Sequence, residues 1–68
     1  MDISKIYVKV DKRDYAGLYW LSEEKGKNYL NVSYGGLKKI SKQIESDKVI
    51  IADQIAKTML FDLIDKMK

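Results

Sequence analysis

The chain has 68 residues, of which 46% are hydrophobic, and its formal net charge is +3. This length allows one small domain, residues 1–68. Cysteine and histidine are both absent, which excludes disulfides, thiolate metal sites and a histidine general base. We therefore predict no enzymatic activity, no metal and no cofactor, and expect stability to come from apolar packing.

Neither a secreted nor a membrane protein is indicated. The first residues have interspersed charges instead of the apolar run of a signal peptide, and the longest apolar run, residues 49–52, is far too short to span a membrane. All basic residues except Arg13 are lysine, which offers a point charge and not the bidentate fork of arginine. We predict a cytoplasmic protein whose lysines suit an anionic surface but are poorly suited to reading a nucleic-acid sequence.

Alternating apolar and polar residues predict three β-strands in the first half of the chain. Residues 3–10 form the first strand and, after a polar reversal at 11–14, residues 15–22 form the second. A hairpin loop at 23–27 leads to the third strand, residues 28–34. Gly17 is a typical site for a β-bulge, and a bulge there would move Tyr15 to the opposite face of the sheet.

The apolar period changes after Gly35 and Gly36. Leu37, Ile40 and Ile44 recur at spacings of three and four, which predicts an amphipathic helix. A second helix is predicted from Ser46-Asp47 to about Met67. Its buried stripe comprises Ala52, Ala56, Met59, Leu60, Leu63 and Met67. Alternatively, the β-branched residues 49–51 form a short strand, and Asp53 caps a shorter helix.

These elements predict an α+β fold of order β-β-β-α-α: a three-stranded antiparallel meander with two C-terminal helices packed on one face. We expect the helices to cover the face that bears Ile6, Val8, Val10, Leu18, Trp20, Leu30, Val32 and Tyr34. The uncovered face then displays Lys5, Tyr7, Lys9, Tyr19, Tyr29, Asn31 and Ser33, together with Tyr15 if there is no bulge.

The uncovered face is the predicted partner-binding site, comprising Lys5, Tyr7, Lys9, Tyr15, Tyr19, Tyr29 and Asn31. Tyrosine is enriched at interface hot spots, although solvent-facing tyrosines are also ordinary β-formers. We expect a protein partner, with a nucleic acid stacked on the same aromatic residues as the alternative. Small, cysteine-free, lysine-rich domains are typical of accessory proteins from phages and mobile elements, many of which inhibit a host protein by occupying its surface.

Phe61 lies outside the buried stripe of the long predicted helix, about 20° round from Ile50 and about 60° from Ile64. These three residues predict a homodimer contact; alternatively, Phe61 packs against the first helix. The close carboxylate pairs, Asp62 with Asp65 and Glu23 with Glu24, are typical of helix and loop surfaces. We therefore name no catalytic residue.

Overall fold

The computed structural model describes residues 2–35 and 38–66, which form one antiparallel sheet and a C-terminal helix. The strands are β1 (Ser4–Val10), β2 (Arg13–Glu24), β3 (Lys27–Tyr34) and β4 (Lys38–Ile44), followed by a 3-10 helix (Ser46–Ile51) and α1 (Ala52–Lys66). The strand order is β1-β2-β3-β4, so each strand lies beside its neighbours in sequence. The α+β class is confirmed, but the sheet has four strands and not three, and one α-helix follows it.

Two-residue turns close the first two hairpins. Asp11 and Lys12 have φ values of 51° and 67°, and Lys25 and Gly26 have φ values of 54° and 77°. Positive φ at both residues matches a type I′ turn, whose twist suits the flanking strands. The loop predicted at residues 23–27 is therefore shorter than expected, and β2 continues to Glu24.

The predicted first helix is wrong, because residues 38–44 form β4. In a strand, Ile40 and Ile44 also share a face, together with Lys38 and Lys42, while Lys39, Ser41 and Gln43 lie on the other. As a strand it pairs with β3 from Asn28 to Tyr34, whereas a helix would leave the outer backbone groups of β3 without partners. Leu37, the first apolar residue of the predicted helix, lies outside the described residues.

The second helix exists but begins later than predicted, at Ala52. Residues 46–51 form a 3-10 helix, in which the Lys48 amide donates to the Glu45 carbonyl oxygen at 2.9 Å, so residues 49–51 form neither a strand nor α-helix. The predicted buried stripe is confirmed at Ala52, Ala56, Met59, Leu60 and Leu63. Met67 lies outside the described residues.

α1 packs on one face of the sheet and encloses the core between them. From the strands, the core takes Ile6, Val10, Leu30, Val32 and Ile44, and from the helix it takes Ala52, Ala56, Met59, Leu60 and Ile64. We call this side of the sheet the covered face. β1 and β3 present to it the apolar residues that the sequence predicts.

The predicted facing of β2 is wrong. Residues directly opposite each other in an antiparallel pair share a face, and Gly17 lies opposite Ile6 while Tyr19 lies opposite Val32. The odd-numbered residues of β2, including Tyr15, therefore belong to the covered face. Leu18 and Trp20, which were expected in the core, lie on the other side of the sheet.

Close approach of α1 explains why β2 has this orientation. A Cβ atom on Gly17 would lie 2.8 Å from Leu60 Cδ2 and 3.1 Å from the Ser33 carbonyl oxygen, so a larger residue would require Leu60 to shift. The pairing of β1 with β2 runs without interruption from Ser4–Tyr19 to Val10–Arg13, so no bulge is present at Gly17. The tyrosines beside it, Tyr15 and Tyr19, pack against the edge of the core.

Candidate functional site: the open face of the sheet

The face opposite α1, which we call the open face, is covered by no element in the described part of the chain. The register places three rows of side chains across its centre. The rows are Lys5–Leu18–Ser33–Lys39, then Trp20–Asn31–Ser41, then Ser22–Tyr29–Gln43. Tyr7, Lys9, Asp14, Ala16, Glu24 and Lys27 complete the open face.

Aromatic and aliphatic side chains lie along a diagonal of the open face. Trp20 and Tyr29 are half-buried by their neighbours, Leu18 is exposed, and Tyr7 is 62% exposed. The Lys39 ammonium lies 5.4 Å from the centroid of the Trp20 ring, within the range of a cation–π interaction. Trp20, Tyr29 and Lys39 line an open concavity of about 510 Å³.

Asn31 lies beneath these side chains and is only 5% exposed. Its Nδ2 donates to the Trp20 carbonyl oxygen at 3.3 Å and to Ser22 Oγ at 3.0 Å, and its Oδ1 accepts from Ser41 Oγ at 2.6 Å. We call Asn31, Ser22 and Ser41 the Asn31 cluster. It joins β2, β3 and β4 through side chains, and it satisfies a buried amide that would otherwise be costly. The base of the concavity is therefore held rigid.

The open face has a positive balance of charge. It carries Lys5, Lys9, Lys27 and Lys39 against Asp14 and Glu24, which is four positive charges against two negative, a net +2. Lys5 and Lys39 stand at the two ends of the Leu18 row. The apolar centre is thus flanked by cations at both edges of the sheet.

Five of the seven residues predicted for the partner-binding site lie on the open face: Lys5, Tyr7, Lys9, Tyr29 and Asn31. Tyr15 and Tyr19 do not, because Gly17 turns the odd-numbered side of β2 toward α1. Binding by any of these residues stays a prediction. The structure adds Leu18, Trp20 and Lys39, which sequence reasoning assigned to the core or to a helix.

The predicted dimer contact does not form one surface. Ile64 is only 3% exposed and belongs to the core, so it is not accessible to a second copy. Ile50 is 87% exposed, but it lies in the 3-10 helix and does not share the α-helical face of Phe61. Phe61 meets no first helix and instead lines a groove beside Tyr7 and Val8 of β1.

Within residues 2–35 and 38–66, no group of three or more acidic, histidine or cysteine side chains is placed to hold a metal ion. The helices described there are too short or too polar to cross a bilayer. Comparison with protein-family models, curated protein sequences and solved structures gave no match.

Proposed function

We propose that this chain is a small binding module that regulates or inhibits a protein partner by occupying its surface through the open face. The observation that carries the proposal is the position of α1, which covers one side of the sheet and leaves Trp20, Leu18, Tyr29 and Tyr7 on the other. Tryptophan and tyrosine dominate interface hot spots because they bury a large, rigid area. This assignment also suits the accessory proteins of phages and mobile elements that the composition indicates.

Preorganisation supports the same function. Trp20 and Tyr29 stand on strands joined by the Asn31 cluster, and the Lys39 ammonium lies over the Trp20 ring. A partner that binds here orders few additional side chains, so more of the contact energy remains as affinity.

The position of Lys39 favours a protein over a nucleic acid. A base stacks on an open aromatic face, but the Lys39 ammonium lies over the ring of Trp20 and would have to move. Arginine, the residue that best grips phosphate and guanine, does not occur on the open face. A protein surface can meet Trp20 at its edge and accept a hydrogen bond from the lysine.

The test is affinity capture from a nuclease-treated lysate of the native host, followed by affinity measurement on the captured protein. Trp20→Ala is expected to weaken binding by at least about thirtyfold, the loss that corresponds to roughly 2 kcal/mol at a hot spot. Ile50→Ala is the matched control, since Ile50 is highly exposed but lies away from the open face, and it should bind normally. Equal losses in the two variants would contradict the proposal.

Ionic strength separates the nucleic-acid alternative from the protein one. Phosphate contacts release counterions, so affinity for a single-stranded oligonucleotide falls steeply with salt. An interface anchored by Trp20 and Tyr29 should change little between low and moderate salt, because apolar burial is not screened. Tight, strongly salt-dependent oligonucleotide binding that Trp20→Ala abolishes would replace the protein partner with a nucleic acid.

A further inference from the structure

β1 forms one edge of the sheet, and half of its backbone polar groups point away from β2. Hydrogen-bonded and non-hydrogen-bonded pairs alternate in an antiparallel ladder. The pair that closes the two-residue turn, Val10–Arg13, is hydrogen-bonded, and so are Val8–Tyr15 and Ile6–Gly17. The N–H and C=O groups of Lys5, Tyr7 and Lys9 are therefore directed outward, where no strand of the described chain pairs with them.

A groove runs along this edge between β1 and α1. It measures about 450 Å³ and is lined by Tyr7, Val8, Lys9, Lys57, Thr58 and Phe61. Phe61 is 44% exposed there although it is a large apolar residue. The edge of the sheet thus offers backbone hydrogen bonds on one side and an apolar wall on the other.

The lining of the groove is positively charged, since it contains Lys9 and Lys57 and no carboxylate, a net charge of +2. Lys5 and Lys9 project to the open face on either side of Tyr7, and Asp14 lies opposite Lys9 on β2. On α1, Asp65 lies one turn beyond Phe61 and outside the lining. If a strand were added here, its side chains on the open face would contact lysines. Its side chains on the helix side would contact Val8 and Phe61.

We propose that the outer edge of β1 binds an extended segment of a partner protein as a fifth strand, and that acidic residues alternate with apolar ones in this segment. Main-chain hydrogen bonds to Lys5, Tyr7 and Lys9 supply affinity, and the alternating side chains supply specificity. The acidic residues pair with Lys5 and Lys9, and the apolar ones fill the groove at Phe61. This site shares Lys5, Tyr7 and Lys9 with the open face, but it does not use Trp20, Leu18 or Tyr29, so Trp20→Ala separates it from the proposed open-face function.

A second copy of the chain fits this edge poorly. Self-pairing with the longest overlap, centred on Tyr7, places Lys5 of each copy opposite Lys9 of the other, and like charges directly opposite each other destabilise a sheet. Lysines on an edge strand discourage such self-association while attracting an acidic strand. The groove along the β4 edge is less complementary to an acidic segment, because its lining includes the carboxylate of Glu45.

The test uses a heptapeptide blocked at both ends, Ser-Glu-Val-Thr-Val-Glu-Ser, which places glutamates beside Lys5 and Lys9 and valines toward Phe61. Titration into the full chain, followed by amide NMR, is expected to shift the amide signals of Lys5, Tyr7 and Lys9 and to slow their hydrogen exchange. The Trp20 indole signal should not shift. A peptide with proline in place of threonine keeps the charges but lacks the central N–H, and it should bind at least about tenfold more weakly.

Two variants test the side-chain pattern. Phe61→Ala should weaken binding by about tenfold, whereas Ile50→Ala should not change it. The double variant Lys5→Glu/Lys9→Glu should reverse the preference, binding a peptide with lysines in place of the glutamates more tightly than the original. Reversal would also show that the double variant is folded.

Four outcomes would overturn the proposal. The first two are the absence of saturable amide shifts at millimolar peptide and equal binding of the proline peptide. The other two are amide shifts at β4 instead of β1, and protection of the β1 amides from hydrogen exchange in the free chain that grows with protein concentration. The last outcome would assign the edge to a second copy. Loss of open-face binding in Trp20→Ala with intact peptide binding would leave this proposal standing.

Discussion

The two faces of the sheet carry the same number of aromatic side chains but use them differently. Tyr15, Tyr19 and Tyr34 belong to the covered face, and Tyr7, Trp20 and Tyr29 belong to the open face. Beneath α1 the sheet has Gly17, where Leu60 approaches most closely, whereas the open face has the Asn31 cluster at its centre. The helix therefore packs against the side of β2 that has a glycine and not against the side that bears Trp20, the largest apolar residue of the strand.

The largest effect expected from this comparison comes from two leucines, one on each side of the sheet. Leu60 is fully buried and Leu18 is exposed. Leu60→Ala should lower the free energy of unfolding by about 2–5 kcal/mol, through lost transfer energy and a cavity. Leu18→Ala should lower it by about 1 kcal/mol or less. Urea unfolding measures both, and similar losses in the two variants would mean that the faces are not distinct.

Adjacent small residues on β2 give the next test. Gly17→Ala should lower the free energy of unfolding by about 1–3 kcal/mol, because the new methyl overlaps Leu60 and meets the Ser33 carbonyl oxygen. Ala16→Val adds more volume, but on the exposed open face, and should change stability by about 0.5 kcal/mol or less. Thermal and urea unfolding report the difference. A neutral Gly17→Ala would show that the helix does not depend on this close approach.

The two amide side chains of the open face, Asn31 and Gln43, differ in burial. Asn31→Ala removes the three hydrogen bonds of the Asn31 cluster and should lower the free energy of unfolding by about 1–2 kcal/mol, since Ser22 and Ser41 can regain water. Gln43→Ala is the control, because Gln43 is exposed on the same face and should change stability by at most about 0.5 kcal/mol. Equal stability of the two variants in urea would argue against a structural role for the cluster.

Among the aromatic residues, Trp20 is expected to contribute less to stability than a tyrosine of the covered face, although sequence patterning alone assigns it to the core. Trp20→Ala removes a cross-strand neighbour and a cation–π contact, each contributing at most about 1 kcal/mol, so the chain should remain folded by circular dichroism. Tyr19→Ala, on the covered face, should destabilise the fold more because Tyr19 packs against the core. The opposite order of stabilities would restore the orientation of β2 that the sequence predicted.

The alternation in β1 and β3 was sufficient to predict their facing, because each of these strands has one clearly apolar side. β2 gives no such signal: one side bears Tyr15, Tyr19 and Leu21 and the other bears Leu18 and Trp20. Only the approach of Leu60 to Gly17 distinguishes them, and that contact joins residues far apart in sequence. The sequence therefore predicted Trp20 on the covered face and Tyr15 and Tyr19 on the uncovered face, and the structure reverses both placements.

β4 shows a different ambiguity. Ile40 and Ile44 are four residues apart, a spacing that places side chains on the same face of a helix and also on the same face of a strand. Two interactions with β3 favour the strand over the helix. The backbone groups on the outer edge of β3 pair with β4, and the Ser41 hydroxyl donates to Asn31. A long-range requirement thus overrode the local helical period.

The order of the elements along the chain allows the sheet to form before the helix docks. The four strands precede residues 52–66 in the chain, and because each strand pairs with the one before it, the sheet can form from local contacts before α1 docks. A sheet without docked α1 exposes both sides of β2, with Tyr15 and Tyr19 on one side and Trp20 on the other, and is open to premature association. Docking of α1 is therefore the step that makes the two sides of the sheet different, because it covers Tyr15 and Tyr19 and leaves the side of Trp20 open.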